Sequence, residues 1–108
     1  MAELGDEPSR TDIERSLDAA GRPVIKLVGE LDISNVTTIE AQVDAVVSSS
    51  ERVSFDLSAL TFMDSSGIAM LLRVAERADH VVLVRPSDTI KRIIGATGLT
   101  EVFEIVDD

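Results

Sequence analysis

The sequence predicts an α/β domain, a mixed, mostly parallel sheet of about five strands with helices, in the order ββαβαβαβ. Three observations carry that prediction. After a leading hairpin, strand-type and helix-type apolar patterns alternate, which calls for right-handed crossovers between parallel strands. The run His80-Val81-Val82-Leu83-Val84 is almost wholly apolar, as in a strand buried on both faces. The chain has 108 residues, 44% of them hydrophobic, which suits a single packed core.

Each element follows from its local pattern. Residues 1–11 are polar, contain Gly5 and Pro8, and read as a mobile tail ahead of a domain spanning 12–108. Ile13, Arg15 and Leu17 alternate with polar neighbours as an edge strand. Gly21-Arg22-Pro23 is a turn, and Val24–Leu31 returns as a second strand with Ile25, Leu27 and Leu31 on one face. Asp32 or Ser34 can cap a helix whose stripe is Val36, Ile39, Val43, Val46 and Val47, ended by Ser48-Ser49-Ser50. Arg52–Leu57 is a core strand. Ile68, Leu71, Leu72 and Ala75 mark a second helix. After the apolar strand, Pro86-Ser87-Asp88 can cap a third helix carrying Ile90, Ile93 and Ile94, with Gly95 and Gly98 as stop positions. Val102–Val106 is the last strand.

Composition narrows the function. A formal net charge of −10 opposes binding to a duplex or an anionic membrane and suits a basic protein surface, although acidity also serves plain solubility. Aromatic residues are 3% of the chain, all Phe, which weakens base or sugar stacking. With no Cys there is neither a disulfide nor a thiolate metal site. MAELGDEPSRT lacks the basic and apolar regions of a signal peptide, and no 18-residue apolar run is present. These features indicate a cytoplasmic protein without cofactor, nucleic acid or membrane partner, and a monomer or a weak dimer is expected.

The stretch Phe62-Met63-Asp64-Ser65-Ser66-Gly67-Ile68 carries the most information. It joins a strand to a helix and places two hydroxyls at a helix N-terminus, where a phosphate is electrostatically tolerated. With Ser65 as N-cap, the Ser66 hydroxyl is free, and Gly67 leaves room for a kinase. On the turn alone, an ordinary Asp/Ser cap is the commoner explanation. A second acidic turn, Gly29-Glu30-Leu31-Asp32, ends an earlier strand. Strand ends that feed helices share one sheet edge, so Asp32 and Asp64 could form one acidic rim around Ser66; Asp32 could equally cap its own helix.

Taken in order, Gly29-Glu30-Leu31-Asp32, Asp56-Leu57-Ser58, Phe62-Met63-Asp64-Ser65-Ser66-Gly67-Ile68 and Gly98-Leu99 before Val102-Phe103 resemble the STAS-domain proteins of the anti-sigma factor antagonist family. That resemblance implies a STAS domain over 12–108 with Ser66 as phosphoacceptor and Ser65 as runner-up. It also implies partner binding through Asp32, Asp64, Ser65, Ser66 and Gly67. Family members bind an anti-sigma factor that is also a serine kinase and so free a sigma factor. Phosphorylation by that kinase breaks the complex, and a PP2C-type phosphatase restores it. The residues after Asp32, namely Ile33-Ser34-Asn35, vary among relatives.

Two other functions fit less well. A STAS-type accessory subunit of a membrane transporter would share the fold, but would not need an intact Asp-Ser-Ser-Gly block. An enzyme would need a base, metal site or cofactor loop. His80 is the single histidine and has no Cys or Gly-x-Ser-x-Gly elbow to work with, so it reads as a strand-edge residue. Gly95-Ala96-Thr97-Gly98 reads as a helix terminus rather than a phosphate loop. Ser58 and Ser48 to Ser50 are accounted for by turn chemistry.

Overall fold

The computed structural model describes residues 11–47, 52–98 and 100–107. It contains β1 (Thr11–Leu17), β2 (Pro23–Leu31), α1 (Val36–Asp44), β3 (Arg52–Met63), α2 (Ser65–Arg77), β4 (His80–Val84), α3 (Asp88–Ala96) and β5 (Glu104–Val106). The five strands lie in sequence order across one sheet. β1 pairs antiparallel with β2, and every later neighbour is parallel. The expected ββαβαβαβ order and mixed sheet are therefore present. Most of the expected tail lies outside the described residues, and Thr11, its last residue, already pairs with Gly29 in β1.

Ile25, Phe55 and Leu83 align in one row across β2, β3 and β4, and each is fully buried. Val36, Ile39 and Val43 of α1, Ile68, Leu71 and Val74 of α2, and Ile90 and Ile94 of α3 join them in one core. The helical stripes read from the sequence thus face the sheet, because burying them is the main favourable term available to an aliphatic core. α1 and α2 are also joined at the surface by Glu40 with Arg73 at 2.6 Å and by Asp44 with Arg77. Such exposed pairs fix orientation more than they stabilise.

Several expectations are corrected. α1 ends at Asp44, so Val46 and Val47 pack on the core from beyond the helix; the three serines expected to stop it lie outside the described residues. β3 does not end near Leu57 but continues to Met63 beside β2. Register shifts between Lys26 and Val28 and between Gly29 and Glu30 break the simple alternation there. Gly29 has φ 106, a left-handed value that suits glycine at such an irregularity. Ser58 consequently sits within a strand, its amide bonded to Asp56 Oδ1 at 3.0 Å. Gly95 lies inside α3; the stop comes later, with Gly98 at φ 75. Val102 belongs to a single 3-10 turn, Thr100–Val102, and is exposed, whereas Phe103 is buried. The cap at Ser87 is as expected, with its hydroxyl accepting the Ile90 amide at 3.2 Å.

Candidate functional site

The site is built where two parallel strands end together. Leu31 and Met63 are register partners and both are fully buried, so the turns that follow them emerge side by side. The Asp64 amide then donates to the Leu31 carbonyl at 3.2 Å, tying the second turn to the first strand.

Asp64, not Ser65, is the N-cap of α2. It has an extended backbone, φ −99 and ψ −171, and its carboxylate accepts the Ser66 amide at 2.9 Å and the Gly67 amide at 3.3 Å. A carboxylate caps a helix as well as a hydroxyl does and adds charge that suits the helix dipole. Ser65 is left as the first helical residue, exposed. The Ser66 hydroxyl, expected to be free, donates to Asp64 Oδ1 at 2.5 Å, and the residue is half-buried. The other carboxylate oxygen, Oδ2, accepts the Ile33 amide at 3.2 Å. One side chain thus links the Ser66 hydroxyl, the start of α2 and the turn after β2. The Ser66 hydroxyl above all lowers the Asp64 carboxyl below its ordinary pKa; partial burial opposes this, and the Gly67, Ser66 and Ile33 amides add to it.

The turn after β2 is internally braced. Asp32 Oδ1 accepts the Ser34 amide at 2.9 Å and the Ser34 hydroxyl at 2.6 Å. Asn35 Oδ1 accepts the Asp32 amide at 3.0 Å, and Asn35 Nδ2 donates to the Glu30 carbonyl at 2.7 Å. Asn35, rather than Asp32 or Ser34, occupies the N-cap position of α1 and makes no side-chain cap bond. Asp32 therefore shapes an Asx turn instead of closing its helix, and its backbone is held at the edge that also carries Asp64.

Gly67 plays a different part from the one expected. It is buried, and a Cβ there would meet Leu31 Cδ2 and Met63 Cβ at 3.1 Å each. The glycine lets α2 approach the ends of β2 and β3; it does not open a path for a kinase. Sequence reasoning gave no role of their own to Ile33, whose amide is bonded to Asp64, and to Phe62, two residues before Asp64; they are 76% and 44% exposed. Ile33 left a signal: it is a β-branched apolar residue between two polar ones, outside both helical and strand stripes. His80 lies on the surface against Glu104 at 2.6 Å, an edge contact and not a part of this site.

A strand end, a capped helix and a braced acidic turn, on a five-stranded sheet of this order, define a class. The STAS domain family profile matches residues 12–108, and the chain belongs to that family. Within it, the chain is 35% identical over 82 residues to the anti-sigma F factor antagonist of Lysinibacillus sphaericus, covering 70% of each protein. An anti-sigma factor antagonist from Mycobacterium paratuberculosis shares its fold with a TM-score of 0.78 and 28% identity, over 94% of this chain and 87% of that one. The anti-sigma factor antagonist SpoIIAA in its unphosphorylated form gives 0.67 and 25%, over 88% of each chain. These relatives carry the names of binding proteins, in keeping with the expectation that the chain is not an enzyme. Among the described residues, no helix is long and apolar enough to cross a membrane.

Proposed function

We propose that the chain is a cytoplasmic anti-sigma factor antagonist whose binding is switched off by phosphorylation of Ser66. Unphosphorylated, it engages an anti-sigma factor that is also a serine kinase, through a rim comprising Asp32, Asp64, Ser65 and Ser66, and so releases a sigma factor. The observation that carries this reading is the Ser66 hydroxyl held on Asp64 at the start of α2, on the edge shared with Asp32, in a STAS chain similar to named antagonists. A family relative is described in an unphosphorylated form, which makes a phosphorylated one part of that relative's chemistry.

In the transfer, the Ser66 Oγ–P bond forms as the bond between the γ-phosphorus and the ADP oxygen breaks, and the hydroxyl proton passes to solvent. The hydrogen bond to Asp64 Oδ1 is then lost, and about −1.5 to −2 charges stand beside that carboxylate. The dipole of the α2 N-terminus offsets part of the repulsion. Like charge presented to a partner costs several kcal/mol, and ~3 kcal/mol weakens binding about a hundredfold. A PP2C-type phosphatase would reverse the step.

Intact-mass and site mapping after incubation with ATP and each anti-sigma factor kinase of the same genome tests the proposal. One phosphate on Ser66, absent in Ser66→Ala, is expected, while Ser66→Ala retains binding. Ser66→Asp should bind about a hundredfold more weakly. Its stability should stay within about 1 kcal/mol of the native chain, since one lost hydrogen bond is set against a favourable dipole. A phosphate mapped to Ser65 would reassign the switch; copurification with transporter subunits and no anti-sigma factor would replace the function.

A further inference from the structure

We infer that Ile33 is an apolar anchor that inserts into a pocket, rimmed by basic groups, on the anti-sigma factor. The inference rests on the functional reading above and adds a residue that neither the motif nor the acidic rim supplies.

Ile33 is 76% exposed, more than the other exposed large hydrophobics among the described residues, Leu17, Phe62 and Val102. It contributes nothing to the core, and a β-branched side chain has no role in making an Asx turn. It is nonetheless held in place. Its amide is bonded to Asp64 Oδ2, and the residues on either side are joined by the Ser34 to Asp32 bonds. A side chain presented from a fixed backbone loses little entropy on docking, the condition under which an exposed apolar group yields affinity.

Its surroundings select the partner's chemistry. Glu30 and Asp32 precede it, Asp64 holds it, and the chain carries a net charge of −10, so an apolar socket with a basic rim is the complementary surface. The same carboxylate holds the Ser66 hydroxyl on its other oxygen. A phosphate on Ser66 therefore arrives beside the anchor, and seating Ile33 would require the partner to desolvate that phosphate as well. Affinity and its loss on phosphorylation thus meet at one residue pair.

Leu17 provides the control. It is 67% exposed, and it pairs with Pro23 at the opposite end of β2 from Leu31. Titration calorimetry against the anti-sigma factor kinase that phosphorylates the native chain should show Ile33→Ser weakened about 10- to 100-fold, from loss of one buried aliphatic side chain. Its melting temperature should be unchanged, Ile33→Val should stay within about threefold, and Leu17→Ser should bind as the native chain does. Ile33→Ser binding at native strength, Leu17→Ser weakening equally, or Ile33→Val falling as far as Ile33→Ser would each overturn the anchor while leaving the switch intact. A native chain that binds no anti-sigma factor would overturn the functional reading and the anchor together.

Discussion

Asp64 is the residue whose removal should cost the site most, and the cost can be resolved into parts. Replacing it with Ala removes the cap of α2, whose loss is worth about 1 kcal/mol with a range of about 0.5–2. It also leaves the Ile33 amide without its carboxylate acceptor, a bond of 3.2 Å whose net worth is about 1 kcal/mol. The expected total is about 2 kcal/mol, equivalent to a fall of about 8–16 °C in melting temperature for a domain of this size. Asp64→Asn separates the two parts. Its Oδ1 can still accept the Ser66 and Gly67 amides, and Asn is as good a cap as Asp. Its Nδ2, however, would face the Ile33 amide, donor against donor. It should therefore lose about 1 kcal/mol, roughly the Ile33 share. Urea unfolding of the three proteins at neutral pH, with equal slopes, is the assay. The order should run native, Asn, Ala, in nearly even steps. If Asn proved as costly as Ala, or if Ala lay within about 0.3 kcal/mol of native, the account of one carboxylate bridging two turns would be wrong.

Two further outcomes follow from the same geometry. Asp64 and Glu40 have pKa values below their ordinary ones, through the Ser66 hydroxyl and through Arg73 respectively; at Asp56 burial pushes the other way but is outweighed by the bonds from Ser58 and Arg85. A depressed folded pKa means that the stabilisation is complete above the unfolded value of about 4 and is lost as pH falls through the folded one. The urea midpoint should accordingly be flat from about pH 7 to 5 and fall below about pH 4, less steeply in Asp64→Asn; a midpoint that rises on acidification would contradict the assigned directions. Gly67→Ala should be destabilising by about 1 kcal/mol, because crowding against Leu31 and Met63 exceeds the gain of about 1 kcal/mol in helix propensity; a raised melting temperature would show that α2 can shift outward freely.

What the sequence made legible was local or periodic. The leading hairpin, the existence of three helices with an apolar face on the core and the Ser87 cap depend on neighbours within a few residues, and these appear as read, although Val46 and Val47 fall beyond α1 and the buried face of α2 also includes Met70 and Val74. What it hid depends on pairs far apart in the chain. The Ser66 hydroxyl was read as free and Ser65 as the cap, because the choice among Asp64, Ser65 and Ser66 is settled partly by the bond from Ile33, 31 residues earlier. Gly67 was read as clearance because its packing against Leu31 involves a strand that is remote in sequence. The length of β3 was underestimated because the register shifts against β2 destroy the period-two signal. Arg85 at φ 53 had no sequence signal: an arginine before Pro86 gives no hint of left-handed backbone, which here places its amide 2.6 Å from the Val106 carbonyl and its guanidinium 2.8 Å from Asp56.

The same contacts bear on how a phosphate at Ser66 would act. Behind Asp64 lie Leu31 and Met63, both fully buried, and Gly67 is wedged against them, so the base of the site belongs to the core and cannot yield without a cavity. In front of it, the Ser66 hydroxyl is half-buried and its bond is to a surface carboxylate, so a phosphate can turn toward solvent by giving up a bond worth about 1 kcal/mol. The structural cost of such a modification would thus be small and confined to the outer side. A switch of a hundredfold or more would have to draw its ~3 kcal/mol from the partner, through charge facing charge and the desolvation of phosphate beside Ile33. A rigid base with a yielding rim is the arrangement in which phosphorylation of Ser66 would alter binding while leaving the fold intact.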